Sequence, residues 1–168
     1  MTFVVRTEQP VDTGQIFEVT RLAFSTAAHT SGTEQFIVDA LRQLGHMALS
    51  LVAIEDETLV GHIAFSPVTV SSGEEGWYGI GPLSVLPEFQ RKGVGSCLME
   101  QGMAQLQQQG AKGGVLVGDP AYYSRFGFAP CSELVYLGIP PEYVLVKSFS
   151  DKLPNGEVVF SKAFEATA

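Results

Sequence analysis

The stretch Leu83-Ser84-Val85-Leu86-Pro87-Glu88-Phe89-Gln90-Arg91-Lys92-Gly93-Val94-Gly95-Ser96 decides the fold. Its first residues end an apolar strand, and its last residues open a long helix. Between them stand two cations and two glycines. A turn needs only one glycine. Two missing side chains at a helix start let backbone N–H groups approach a ligand closely. The helix N-terminus adds a partial positive charge, and Arg91 and Lys92 add full ones. The stretch therefore reads as an anion cradle suited to phosphate. The plainer reading of Gly-x-Gly alone is a tight strand-to-helix connection. Two rival phosphate motifs fail: no Gly-x-x-x-x-Gly-Lys-Ser/Thr run exists, and the third glycine of a dinucleotide fingerprint would fall at Leu98.

The strand leading into the cradle, Trp77–Val85, contains Gly81-Pro82. Proline cannot donate to a ladder, so it sits at strand edges, starts or bulges. A bulge here would splay this strand from a parallel neighbour at Gly114–Val117. A splayed pair leaves backbone groups free to bind an extended ligand as if it were an added strand. After the cradle, Val94, Leu98, Met99, Gly102, Met103 and Leu106 line one helix face, and Gly110 closes the helix.

Upstream, Phe3–Val5 starts as a strand. Pro10-Val11-Asp12 opens a helix with Asp12 as its N-cap and Gln15 as the capping-box partner. A second helix follows Ser31, with Glu34 in the partner position and Gly45 as its stop. Leu49–Ile54 and Leu59–Phe65 form a hairpin across Glu55-Asp56-Glu57. Downstream come a short helix around Tyr122 and strand candidates at Tyr143–Phe149 and Glu157–Ser161. This order predicts one α/β domain over residues 1–168 with a mixed sheet.

Composition limits the function. The chain has 168 residues, 45% hydrophobic and 17% charged, as an ordinary globular domain does. Its formal net charge of −8 argues against a nucleic-acid partner and permits a cationic one such as an amine. No apolar run is long enough to span a bilayer. The start MTFVVRTEQP lacks the pattern of an export signal, so a cytoplasmic location is expected. Cys97 and Cys131 then read as free thiols, too few for a cysteine-rich metal site, and no metal is expected.

Taken together, Leu83 to Gly95 resembles the acyl-CoA-binding motif of the GNAT N-acetyltransferases, whose core is Gln/Arg-x-x-Gly-x-Gly/Ala. Asp119-Pro120-Ala121-Tyr122-Tyr123-Ser124-Arg125-Phe126-Gly127-Phe128 is similar to that family's second signature, a Tyr followed four residues on by Gly-Phe. The wording Gly-Asp-Pro-Ala-Tyr-Tyr and the run Gly61–Pro67 resemble a bacterial subgroup. The resemblance implies the GNAT fold: a mostly antiparallel sheet of about six to seven strands, splayed between the fourth and fifth, with about four flanking helices. It implies acetyl-CoA as co-substrate, lying in the splay. The segment Leu83, Ser84 and Val85 would run along the pantetheine, with hydrogen bonds from the backbones of Leu83 and Val85. Gln90, Arg91, Lys92, Gly93, Val94, Gly95 and Ser96 would hold the pyrophosphate.

The implied reaction is direct attack of a primary amine on the thioester, the amine being a small molecule or a protein group. Tyr123 matches the tyrosine that protonates the leaving thiolate; Tyr122 stands where the family usually has an aliphatic residue. Many relatives place a glutamate base a few residues before the equivalent of Leu83, where this chain has Gly79. His62, Glu34, and Glu74 with Glu75 are the other titratable candidates. A strand histidine is more often a hydrogen-bonded structural residue, and the two glutamates read as a solvated turn. Cys97 reads as packing rather than a nucleophile, and Trp77, Phe65 and Tyr78 as core. The family implies a monomer or homodimer. The alternative function is an acyl-CoA-binding sensor without catalysis.

Overall fold

The computed structural model describes residues 2–27 and 30–168. Its strands in chain order are β1 (Val4–Thr7), β2 (Leu49–Glu55), β3 (Thr58–Pro67), β4 (Thr69–Val70), β5 (Trp77–Val85), β6 (Gly113–Val117), β7 (Ala129–Pro130), β8 (Leu134–Val135), β9 (Val144–Ser148) and β10 (Gly156–Val159). The helices are α1 (Thr13–Ser25), α2 (Glu34–Gln43), α3 (Val94–Gln108) and the single turn α4 (Pro120–Tyr123). Seven strands form the main sheet in the order β1-β2-β3-β5-β6-β9-β7, and β4-β10-β8 form a small second sheet. Only β5 and β6 pair in parallel within the main sheet. This is the expected mixed, mostly antiparallel architecture with four helices.

One strand candidate lies outside the main sheet, and one expectation is corrected. The last strand candidate forms, but not in the main sheet. β10 pairs with β4 and β8 instead, and the seventh main-sheet strand is the two-residue β7. Asp12 does occupy the N-cap position of α1, but its carboxylate does not cap that helix. It accepts from Arg6 at 2.7 Å and from the Gln9 N–H at 2.7 Å, so an ion pair and the preceding turn have claimed it. The guanidinium of Arg6 and the Gln9 N–H outweigh burial and hold the Asp12 carboxyl below its usual range.

The sheet is covered on both faces. On one, α3 lays Leu98, Met99, Met103 and Leu106 over Leu51, Ile63 and Phe65. Close approach is possible because Gly61 and Gly102 lack side chains. A Cβ on Gly102 would run into the Phe65 ring, and one on Gly61 would stand 2.9 Å from Val94 Cγ1. On the other face, Ile16 and Val19 of α1 and Val38 of α2 pack on Val52 and Leu59. At the far end of the sheet Trp77, Val115, Val144 and Val146 meet Leu134, Val158 and Phe160 from the second sheet's neighbourhood. Burial of these apolar faces is the main favourable contribution to folding.

Candidate active site

β5 and β6 start as partners and then separate. Their pairing runs Trp77↔Gly113, Tyr78↔Gly114 and Gly79↔Val115, and goes no further. β5 meanwhile continues to Val85 against β3, with a register shift opposite Ile63 and Phe65 that places the extra residues at Gly81-Pro82. The bulge read from the proline is therefore present. Gly81 adopts φ 124°, a conformation that favours glycine.

The ladder register tells which backbone groups of β5 face the opening. Leu86 N–H donates to Val60 C=O at 2.9 Å, so that pair is a hydrogen-bonded one. In an antiparallel ladder such pairs alternate with non-bonded ones. Stepping back along the register makes His62↔Ser84 hydrogen-bonded and leaves Leu83 and Val85 with main-chain groups turned towards the splay. Ser84 is thus committed to β3 by its backbone, and its hydroxyl is buried against the other face. Among Leu83, Ser84 and Val85, only the flanking two present polar backbone to the opening.

The cradle follows at once. Gln90 folds back so that its Nε2 donates to the Val85 carbonyl at 3.0 Å, tying the loop to the end of the strand. Its amide braces the cradle rather than extending into it. Arg91 adopts φ 63° and Gly93 φ 88°, and α3 begins at Val94. No side chain caps this helix. Among the described residues, the N–H groups of Val94, Gly95 and Ser96 have no acceptor in the fold, since the first helical bond is from Cys97 to Gly93. Arg91 and Lys92 are exposed beside them. Three free amides, a helix N-terminus and two cations make an anion site.

Gly95 carries a further message. A Cβ there would meet the Tyr122 hydroxyl at 3.6 Å, Val85 Cγ2 at 3.7 Å and Leu83 Cδ2 at 3.9 Å, which is ordinary contact. The fold has room for a side chain at 95, so packing does not require this glycine.

Tyr122 and Tyr123 are in contact but point to different places. Asp119 caps α4 by accepting from the Ala121 N–H at 2.9 Å, and Gly127 at φ 89° ends the following turn. The two rings meet edge-on at 4.9 Å. Tyr122 points its hydroxyl over the first turn of α3, with the Arg125 guanidinium 4.5 Å above its ring. Tyr123 is seated against Gly118, where a Cβ would collide with its ring. It lines a cavity of about 390 Å3 that opens in the splay, with Ile80, Pro82 and Leu83 on one side and Leu116 and Val117 on the other. Burial, with a smaller push from Tyr122, raises the Tyr123 phenol to about 12.

The other titratable candidates fall elsewhere or are occupied. His62 is fully buried on the α1–α2 face. Ser50 Oγ donates to Glu8 Oε1 at 2.7 Å, so it accepts from His62 Nε2 at 2.8 Å, and Glu8 is paired with Arg42 at 2.7 Å. Burial drives His62 down to about 4, so it is a neutral structural residue. A Cβ on Gly79 would lie 2.7 Å from Phe160 Cε2, so an aromatic ring fills the space a β5 carboxylate would need. Trp77 and Phe65 are core. Cys97 accepts from Gln101 Nε2 at 3.1 Å in the first turns of α3, and Cys131 is buried. Glu34 alone among the candidates reaches the cavity that Tyr123 lines. Sequence reasoning missed the aromatic side of that cavity, Tyr136, Phe160 and Phe164, which carries no motif.

An open parallel pair, bared helix amides and a half-buried phenol are the features of a splayed-sheet acyltransferase. The chain belongs to the acetyltransferase (GNAT) family, whose model matches residues 15–128. It is 37% identical over 126 residues to the uncharacterized N-acetyltransferase YhbS of Escherichia coli K12, covering 74% of this chain and 72% of that one. A crystal structure of a GNAT family acetyltransferase from Brucella melitensis in complex with acetyl-CoA is 44% identical, covers 97% of this chain and 98% of its own, and superposes with a TM-score of 0.87. The Escherichia coli YhbS structure in complex with CoA is 32% identical over 99% of this chain and 93% of its own, with a TM-score of 0.88. No group of three or more metal-ligating side chains occurs among the described residues, and no helix there is long and apolar enough to cross a membrane.

Proposed function

We propose that this chain acetylates a primary amine by direct attack on acetyl-CoA, with Tyr123 as the acid that protonates the departing thiolate. Acetyl-CoA-dependent N-acetyl transfer is the activity of the family to which the chain belongs. The observation that carries the assignment of roles is the end of the β5–β6 ladder at Gly79↔Val115, with Tyr123 lining the gap beyond it.

In this reading the pantetheine runs along the Leu83 backbone and the Val85 N–H, the Val85 carbonyl being held by Gln90, and the pyrophosphate rests on the amides of Val94, Gly95 and Ser96. The cations of Arg91 and Lys92 offset its charge. Ser84 and Gln90 shape this path without touching the ligand through their side chains. Holding both reactants in one channel turns a bimolecular step into a positioned one. A phenol pushed to about 12 stays protonated across the working range, as a proton donor to a thiolate must.

The test is Tyr123→Phe, which keeps the ring and removes only the hydroxyl. Loss of a general acid should lower kcat by about 100-fold or more while leaving the Kd for CoA unchanged. In the parent protein the rate should show no alkaline decline below about pH 10, because the raised phenol ionises only above that. An unchanged kcat in the variant overturns the role of Tyr123. Tight CoA binding with no product from any amine would make the chain a CoA-binding sensor instead.

A further inference from the structure

The cavity beside Tyr123 has mostly apolar walls. Phe24 of α1 and Ile37 of α2 close one side. The other is built from residues beyond the family match: Tyr136, Phe160 and Phe164. Phe160 anchors that wall. It stacks on Tyr136 at 5.0 Å and 18°, takes Phe164 edge-on at 5.2 Å and 88°, and covers Gly79. Where a carboxylate base would stand on β5, this chain therefore has a fixed aromatic ring.

One charged side chain lines the cavity among the described residues, Glu34 at the start of α2. Its carboxylate accepts from Thr30 Oγ1 at 2.7 Å, from Ser31 Oγ at 3.1 Å and from the Ser31 N–H at 3.3 Å. Burial pushes this carboxyl up, but the hydrogen bonds together outweigh it and the net shift is downward. A carboxylate so held stays ionised. It is a weak base and a good counter-charge for a cation.

We propose that the acceptor is a primary amine on an apolar body, drawn to the cavity as its ammonium by Glu34 and made nucleophilic by desolvation against the Phe160 wall. The proposal rests on the acetyl-transfer reading above. An ammonium moved into an apolar site is disfavoured relative to the free amine, by up to a few pK units. That shift is of the size needed to bring an alkylamine from about 10 towards neutrality. The proton passes to water at the mouth as the amine enters. The nitrogen then attacks the thioester carbon and the C–S bond breaks. The thiolate takes the Tyr123 proton, the attacking nitrogen sheds its second proton to water, and Tyr123 recovers one from solvent. In sum, ammonium and acetyl-CoA give amide, CoA thiol and one proton.

The same walls set the selectivity. A polyhydroxylated amine would leave hydroxyls without partners against carbon, and an amino acid would bring its carboxylate towards Glu34. The experiment measures kcat/KM by thiol release for arylalkylamines, alkylamines, polyhydroxylated amines, amino acids and short peptides. Apolar amines should lead by at least about tenfold. Across amines of different basicity, the apparent pKa of kcat/KM should move with the amine. A single apparent pKa common to all amines would reveal a protein base and overturn the desolvation step. Turnover confined to hydroxylated amines, amino acids or peptides overturns the acceptor class alone. No turnover of any amine by protein that binds CoA overturns the acetyl-transfer reading as well. Glu34→Gln keeps an oxygen for the helix cap and removes the charge. It should raise KM for apolar amines about tenfold with kcat little changed. A lowered Tm with KM unchanged would mark Glu34 as a cap only and overturn its part.

Discussion

Gly93 and Gly95 differ in why they are glycines, although the motif names them alike. Gly93 holds φ 88°, which side chains rarely adopt, so the backbone itself requires it. Gly95 lies inside α3, and a Cβ there meets only ordinary contacts. Alanine at 95 should leave the fold intact or stabilise it by up to about 1 kcal/mol, since glycine is a poor helix former. The same methyl group would stand between the start of α3 and Leu83, Val85 and Tyr122, where the proposed path of the ligand runs. We expect Gly95→Ala to keep or raise the melting temperature while weakening CoA binding at least tenfold, as read by calorimetry on one preparation. Unchanged CoA affinity would remove residues 94–96 from the binding site. The shape of this loop was legible from the sequence because the constraint is local: consecutive amides, consecutive missing side chains, adjacent cations. The surroundings of Ser84 and Gln90 were not. Which backbone of β5 faces the splay depends on its register with β3, and the Gln90 amide found its partner five residues back at Val85.

At the level of elements, the position of α3 sets the position of the cradle, and α3 is positioned by its seat on β3. Gly61 and Gly102 let helix and strand approach closely, with the Phe65 ring filling the space at 102. Phe65 is fully buried and cannot swing aside. Gly102→Ala should therefore destabilise the protein by about 1–3 kcal/mol despite alanine's better helix propensity, the usual cost of overpacking a core. It should also weaken CoA binding, because α3 carries its N-terminus with it. Denaturant midpoints and CoA titration check both; a stabilised variant would show that the helix is free to shift. The sequence had Gly102 on the inward face of α3 and the hairpin of β2 and β3 in place. It had the bulge at Gly81-Pro82 too, since a proline in a strand leaves few alternatives. It found the last strand but not its partners, because apolar residues in β10 say that it pairs but not with whom. The small sheet β4-β10-β8 joins segments far apart in the chain, two of them only two residues long.

Over the whole molecule, stability rests in part on a polar network that lies apart from the Tyr123 cavity, none of its members lining that cavity. The network from His62 through Ser50 and Glu8 to Arg42 lies on the α1–α2 face and holds β2, β3 and α2 together. Its histidine is neutral when folded and protonates near its ordinary value when unfolded. The folded pKa is depressed from 6.5 to about 4, so the unfolded chain binds more protons between those values. The associated stability is fully present above pH 6.5 and is lost as pH falls towards 4. The shift corresponds to a contribution on the order of 3 kcal/mol. The Glu8 carboxyl, raised by burial but lowered further by its bonds to Arg42 and Ser50, adds to the loss below its ordinary range. We expect the melting temperature to fall steeply from pH 6.5 to 4.5, and His62→Gln to flatten that fall whatever it does to stability at pH 7.5. An equal slope in the variant would place the acid sensitivity elsewhere.

The sequence by itself determined the glycine-rich helix start, the splay and the place of Tyr123 in its short turn. Each is encoded by neighbouring residues acting on their own backbone: glycines and cations at a helix start, a proline in a strand, a tyrosine held by the turn it belongs to. Only the tertiary structure decided what closes the cavity beside Tyr123. Phe24, Glu34 and Ile37 reach it from the first two helices, and Tyr136, Phe160 and Phe164 from the last part of the chain. These are ordinary side chains with no local pattern, and what they do depends on the neighbours that long-range packing gives them. Phe160 over Gly79 is the clearest case: the sequence shows that β5 carries no carboxylate, but only the fold shows that an aromatic ring fills the space.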